Sequence, residues 1–409
     1  MKQGKTRSKA IYLDYQATTP VDPRVFAAMK PVFTKDFGNP ASRGHAFGAR
    51  AAELVEAARA KVAAFIGAKP EEIVFTSGAT ESNNLALKGV AEIYRDKGRH
   101  IVTCATEHKS VLDPLRRLAG WGFDVTVLGV DREGVLAPAD VERAIRPDTI
   151  LVSVMAANNE IGVLQPVREI AAVAKKRDVL FHTDATQAVG KIPFNVAEIG
   201  ADLASFTAHK IYGPKGVGAL YVRRENPRVR LAPILDGGGH EGGLRSGTLN
   251  VPGIVGFGAA CEIAAKSLKE ETVRIGRLRD RLMKGILSRV DNVHVNGSTR
   301  ARLAHNLNMS FGWVESESLI KRLEGIAVSA AAACATANPE PSHVLKALGV
   351  PEDFIHTAVR FSLGRFTTPK EIDTVIARVA AAVKAVRGLS PLYAMAKRGE
   401  IEGAVQWKD

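Results

Sequence analysis

The 409-residue chain has three cysteines, Cys104, Cys261 and Cys334, an odd number with no Cys-x-x-Cys pair. That argues against a disulfide framework and a zinc site and for a reducing compartment, so a cytoplasmic location is expected. Aromatic residues make up only 6%, and no basic stretch is interleaved with aromatics as a nucleic-acid surface requires. The net charge of +13 therefore does not by itself indicate direct nucleic-acid binding. No uninterrupted run of about 18 apolar residues occurs, so no membrane association is expected. The first ten residues carry Lys2, Lys5, Arg7 and Lys9 without an acid. No apolar signal core follows them. The strand-like Ile11-Tyr12-Leu13-Asp14 begins at once, leaving little room for a transit peptide, so the basic start reads as a solvated tail. Internal repeats and low-complexity segments are absent too.

What is present is alternation. Residues 47–66 carry an apolar stripe at helical spacing that stops at Gly67, followed by the strand-like Ile73-Val74-Phe75 and a helical pattern over 81–97. Further strands are predicted at 100–104, 124–129, 149–155, 179–183, 201–206 and 217–222, with helices between several of them; that at 166–177 opens on Pro166. This order predicts an α/β fold with a mostly parallel seven-stranded sheet covered on both faces. From about residue 253 the texture changes: a long helix is predicted over 261–290, strands at 306–311, 326–329 and 359–363, and helices at 317–323, 342–348 and 369–386. The predicted organisation is a large domain over 16–264 and a smaller α+β domain over 265–409, joined by residues 1–15.

In parallel sheets, ligands bind beyond the carboxyl ends of the strands. There the sequence repeatedly places its unusual polar residues: Thr76–Thr80, Thr106-Glu107-His108, Asn158-Asn159-Glu160, Asp184 with Gln187, and Thr207, His209 and Lys210. The turn Ser77-Gly78-Ala79-Thr80 opens a helix and offers amides and hydroxyls to an anion such as phosphate. Taken alone, an ordinary helix cap accounts for it better. Lys210, followed by Ile211-Tyr212-Gly213-Pro214-Lys215-Gly216, sits where a carbonyl cofactor can be held as an imine, because burial lowers a lysine pKa and frees the nucleophilic amine. Asp184, at a neighbouring strand end, is the carboxylate a pyridinium nitrogen needs. A lone lysine reads as surface. The convergence of Lys210, Asp184, His108 and the 77–80 turn does not.

At these residues the sequence resembles the cysteine desulfurases, class V members of the pyridoxal-phosphate-dependent aminotransferase family, of the bacterial IscS/NifS type. The matching stretches are Tyr12–Pro20, Phe37–Ser42, Thr76–Ser82, Thr106–Lys109, Asn158–Gly162, Asp184–Gln187, His209–Gly216, Arg245–Thr248 and Arg360–Phe366. The resemblance implies the aspartate-aminotransferase-like fold (fold type I) and pyridoxal 5'-phosphate as cofactor. It implies that Lys210 carries the cofactor and moves protons, that His108 stacks on its ring, and that Asp184 and Gln187 meet the ring nitrogen and hydroxyl. Ala79, Thr80, Thr207 and His209 would hold the phosphate, together with Thr248 of the other subunit of a homodimer. Asn159 would touch cofactor and substrate, and Arg360 would clamp the substrate carboxylate. Cys334 would take sulfur from L-cysteine as a persulfide, leaving L-alanine, whereas Cys104 and Cys261 lie in apolar patterns and read as core.

The same resemblance implies sulfur supply for iron–sulfur cluster assembly and for tRNA thiolation. Its partners would be a scaffold protein that meets the C-terminal tail (Pro391-Leu392-Tyr393 to Trp407), a frataxin-like regulator and other sulfur acceptors. The chain would have no metal of its own, with Cys334 transiently sharing a cluster with the scaffold. Selenocysteine lyase and other class V reactions are the alternatives, less favoured because a transaminase needs no protein thiol at Cys334. The sequence departs from the family pattern in four places. Ala330–Ala333 replaces Ser-Gly-Ser-Ala before Cys334, which predicts a stiffer or partly helical loop and impaired sulfur transfer. Thr207-Ala208 replaces Ser-Gly and keeps the hydroxyl. Ala156-Ala157 replaces His-Val. Gly242 stands in place of an arginine near the basic cluster Arg223, Arg224, Arg228 and Arg230.

Overall fold

The computed structural model describes residues 10–330 and 341–400. Cys334, Ala331–Ala333, the basic start and Trp407 lie outside the described residues.

The large sheet has seven strands: β1 (Ile73–Thr76), β2 (His100–Cys104), β3 (Asp124–Leu128), β4 (Thr149–Ser153), β5 (Leu180–Asp184), β6 (Leu203–Thr207) and β7 (Gly218–Val222). Their spatial order is β1-β7-β6-β5-β4-β2-β3, and β7 pairs antiparallel with both neighbours while the other pairs are parallel. Most of these strands are short apolar runs buried on both faces, as a parallel sheet under helices requires. Because all but one strand run the same way, the polar residues that follow β1, β2, β4, β5 and β6 gather at one edge. Gly218 sits there by necessity. A Cβ on it would lie 2.7 Å from the Gly78 backbone, so only glycine lets β7 pass beneath the helix start that follows β1.

The second sheet has four antiparallel strands in the order Ser329–Ala330, Ala358–Ser362, Asn306–Phe311 and Val293–Val295. Asn306–Phe311 alternates with period two. Leu307, Met309 and Phe311 enter the smaller core, while Asn306 donates to Gln16 Oε1 (2.6 Å) and Asn308 to the Glu160 carbonyl (3.2 Å). This polar face fastens the small sheet to the large sheet's strand ends.

Two expectations are corrected. The helix predicted over 261–290 is Val251–Leu287. Two of the glycines in its early turns are packing contacts: a Cβ at Gly256 would meet Met29 Sδ at 2.5 Å and one at Gly258 would meet Ala58 Cα at 2.9 Å. Asn250 caps the start by accepting from the Gly253 amide at 3.1 Å. The single strand predicted at 326–329 is split. Ile326–Ala327 pairs parallel with Ile11–Tyr12, and Ser329–Ala330 pairs with the Ala358–Ser362 strand. The alanine run thus begins extended at Ala330 rather than helical.

Helix Val251–Leu287 has the length and apolarity of a membrane span. Within this fold it serves both cores instead, contributing Ile254, Phe257 and Cys261 to one and Ile275, Leu278 and Leu282 to the other. The anticipated division at 264/265 falls inside it, between those two sets. Leu13 belongs to the smaller core.

Candidate active site

The strand ends enclose a cavity of about 640 Å³. Lys210, His108, Asp184, Gln187, Asn159, Ala79, Thr80, Thr207, His209 and Arg360 all line it. Thr248 does not; it is exposed on the loop before the long helix.

Each group is positioned by its element. Asp184 ends β5, accepting from the Asn83 side chain at 2.8 Å and from the Thr186 amide at 2.9 Å. Asn83 also donates to Ser110 Oγ at 2.8 Å, so the Ser110 hydroxyl proton points at His108 Nδ1, 2.8 Å away. Nδ1 accepts from the Ser110 amide as well (3.1 Å), which places the His108 proton on Nε2. Burial, and then the Lys210 charge, push the His108 pKa down, although Asp184 opposes them. His108 is neutral at pH 7 and aims one N–H. Neither Asn83 nor Ser110 stands out in the sequence; a polar residue one turn into a helix that opens on a strand end is the one clue to Asn83.

Lys210 closes the short turn after β6. Its Nζ donates to the Gln16 carbonyl and to the Ala17 carbonyl (2.9 Å). Burial, then the neighbouring Arg360 charge, bring its pKa down to about 8, so that a minority of the amine, far more than for a free lysine, is neutral at physiological pH. Arg360 is fixed from three sides: Nη1 donates to the Asn159 carbonyl (2.6 Å), and Nη2 to Asp14 (2.8 Å) and to Ser329 Oγ (3.2 Å). Its Nε is buried without a protein partner. Arg360 thus lines the cavity with one donor of its guanidinium unspent beneath the wall. Asp14 and Gln16, both in the Tyr12–Pro20 stretch, had no sequence signal for these roles beyond their neighbours.

At the opposite end, the 16-residue helix Ala79–Tyr94 starts on Gly78, which makes no side-chain cap. Its first-turn amides and positive dipole end meet Thr80, Thr207, His209 and Lys215 at the cavity wall. Thr207 Oγ1 donates to the Val217 carbonyl at 2.9 Å, and His209 Nδ1 lies 3.1 Å from Thr18 Oγ1. Burial raises the pKa of Cys104 to about 11 and that of Cys261 further still. Both are inert core thiols.

Residues 11–375 match the class V aminotransferase family. The chain is 56% identical over 397 residues to a cysteine desulfurase IscS from Anaeromyxobacter dehalogenans strain 2CP-C, covering 97% of this chain and 98% of that one. The chain belongs to the cysteine desulfurases. A solved NifS-like protein superposes with a TM-score of 0.86 at 40% identity, covering 92% of this chain and all of that one. SspA, solved in complex with cysteine, superposes with a TM-score of 0.77 at 36% identity over 88% of this chain and all of that one. Cysteine desulfurases are pyridoxal-phosphate-dependent enzymes of fold type I.

The cavity fits that cofactor. Asp184 accepts only uncharged donors in the hydrogen bonds above, so its charge has room for a protonated ring nitrogen. Thr186 Oγ1, in the same wall, is buried and unpartnered. A lysine with a lowered pKa, an oriented imidazole and an uncapped helix start complete a donor set for an aldehyde, an aromatic ring and a phosphate.

Proposed function

We propose that the chain desulfurates L-cysteine at this cavity, giving L-alanine and a persulfide on Cys334, and that the sulfur supplies iron–sulfur cluster assembly and tRNA thiolation. The observation that carries the reading is that Lys210, His108, Asp184 and Arg360 line one cavity, with a hydrogen-bonded chain from Asp184 through Asn83 and Ser110 to His108.

Pyridoxal phosphate, bound here, supplies an electron sink for negative charge at the substrate Cα. Lys210 is the residue that would hold it, with Asp184 and Gln187 at the ring, His108 over it, and Ala79, Thr80, Thr207 and His209 around the phosphate. Arg360 receives the substrate carboxylate on its free Nε edge, and Asn159, whose carbonyl braces that guanidinium, lies against both ligands. Lys210 takes the Cα proton, because its depressed pKa suits it to accept and return protons near neutrality. His108, neutral and protonated on Nε2, presents a donor toward the reacting side. The Cys334 thiolate attacks the substrate sulfur: an S–S bond forms, the C–S bond breaks, and its electron pair stays with carbon, which is protonated to alanine.

Partners belong to the same proposal. Phe26, Phe33, Phe37 and Phe47 are each more than half exposed, and the rings of Phe37 and Phe47 lie 5.5 Å apart. This apolar surface supports a homodimer, in which the exposed Thr248 is free to reach the other subunit's phosphate site. Arg228 and Arg230 are exposed and offer positive charge to an acidic frataxin-like regulator, while the helix Pro391–Lys397 leads to the tail expected to meet a scaffold protein. Among the described residues Cys104 and Cys261 are free thiols, which fits a reducing compartment and supports a cytoplasmic location.

Purified protein incubated with L-cysteine is expected to yield alanine and protein-bound persulfide in equal amounts, and Cys334→Ala to yield neither. Sulfide release unchanged in that variant would remove Cys334 from the mechanism.

A further inference from the structure

The turn bearing Lys210 is gripped by the loop that follows the Arg360 strand. Tyr212, two residues past Lys210, has φ of +67°, a left-handed conformation that a bulky residue holds only when its surroundings impose it. Its amide donates to Thr19 Oγ1 (2.8 Å), and its carbonyl accepts from the Asp22 amide (2.9 Å). The same Thr19 hydroxyl donates to the His209 carbonyl (2.8 Å), so both sides of Lys210 are tied to one residue. From the small domain, the Arg365 amide donates to the Tyr212 hydroxyl (2.5 Å), and the Arg365 guanidinium sits 4.1 Å from the centre of the Tyr212 ring. That guanidinium also donates to Asp22 (2.7 Å) and to Glu271 on the long helix (2.6 Å). The Asp22 and Arg365 side chains retain only 2% and 10% of their exposure, so the pair is poorly screened. Arg365 lies five residues beyond Arg360, and nothing in the catalytic reading uses it.

We propose that Tyr212 and Arg365 are positioning residues: they couple the loop after the substrate-carboxylate arginine to the turn of Lys210 and fix the direction of its amine. The inference rests on the reading that Lys210 carries the cofactor. A planar fork over a ring, shared between two acids, is a rigid joint that a flexible ammonium does not reproduce. Its loss loosens the lysine turn, while Arg360 keeps its own partners Asp14, Asn159 and Ser329.

The test uses the loaded holoenzyme with Arg365→Gln and Tyr212→Phe. Visible-region circular dichroism per bound cofactor, kcat and KM for L-cysteine, and the thermal midpoint are recorded for each. Arg365→Gln is expected to lose at least half of the dichroism and about tenfold in kcat, with KM within about threefold of wild type. Tyr212→Phe, which keeps the ring and removes the hydroxyl, is expected to show a smaller loss of both. Wild-type dichroism and kcat in Arg365→Gln would overturn the proposal even if the thermal midpoint fell, since a purely structural brace moves only the latter. Should Arg365→Gln fail to fold, wild-type values in Tyr212→Phe would overturn it. Lys210→Ala is run alongside. Wild-type turnover there would overturn the underlying assignment of Lys210 and the coupling with it. Loss of turnover there supports the assignment, and the dichroism and kcat of the other two variants then decide the coupling.

Discussion

Asn83 stands between Asp184 and Ser110, donating one amide hydrogen to each at 2.8 Å. One uncharged side chain thereby holds one oxygen of the carboxylate, the Thr186 amide holding the other, and sets which nitrogen of His108 carries its proton. The acid and the imidazole are oriented by the same group, so a change at one is felt by the other.

Replacing Asp184 by Asn tests that chain. The variant keeps the size and the acceptor toward the Thr186 amide but loses the charge, and it can set a second NH₂ against Asn83. Alanine formation is expected to fall by about a hundredfold or more, the scale of losing one preorganised electrostatic partner, and stability by about 1–3 kcal/mol. Steady-state assay with urea unfolding reads both quantities. Activity within threefold of wild type would mean that the charge at 184 is not used.

The cofactor-free protein should gain stability between about pH 7.5 and 9.5 from two buried lysines, a gain that the buried thiols of Cys104 and Cys261, held protonated above their ordinary pKa, partly offset. Lys210 is brought from 10.5 to about 8, by burial and then Arg360; Lys191 is likewise brought to about 8, by burial. Between about pH 8 and the ordinary lysine value, the unfolded chain binds more protons at these lysines than the fold, so their contribution to stability climbs with pH. Below pH 8 the full cost is present, at most about 3 kcal/mol for each lysine. Urea unfolding at about pH 7.5 and 9.5 should show the gain, and Lys210→Met should raise stability at the lower pH and flatten part of the slope. An unchanged slope in that variant would place the pH dependence elsewhere.

Arg360→Lys preserves charge but not the fork. A lysine cannot hold the Asn159 carbonyl, Asp14 and a substrate carboxylate in one plane. The KM for L-cysteine is expected to rise roughly ten- to hundredfold, with kcat changing several-fold less, as for loss of a charge-assisted bidentate contact. A kinetic comparison with Arg360→Gln separates charge from geometry. Equal KM in wild type and Arg360→Lys would show that the Nε edge is not the carboxylate site.

The strand ends were legible because their chemistry is local. Short β-branched runs stop at polar residues, and the parallel order alone assembles Lys210, Asp184, His108 and Asn159. Asn83 and Ser110 were not legible because a polar residue in a helix carries no mark of what it faces; only the tertiary path across β1 and β5 brings them to Asp184. Asp14 was hidden for a similar reason, since its partner Arg360 comes from the far end of the chain. The early start of the long helix was obscured because glycine has two opposite meanings. By propensity Gly256 and Gly258 weaken a helix, yet here they allow close approach to neighbouring helices at Met29 and Ala58.

The pairing of Ile11–Tyr12 with Ile326–Ala327 has a meaning for synthesis. The strand Ile11–Tyr12 leaves the ribosome with no mate, and its mate appears only when residues 326–327 are made, on the order of half a minute later at ordinary elongation rates. Gln16 and Ala17, whose carbonyls receive the Lys210 amine, wait with it. A nascent chain therefore holds an unfinished reaction centre until Ile326 and Ala327 have been added.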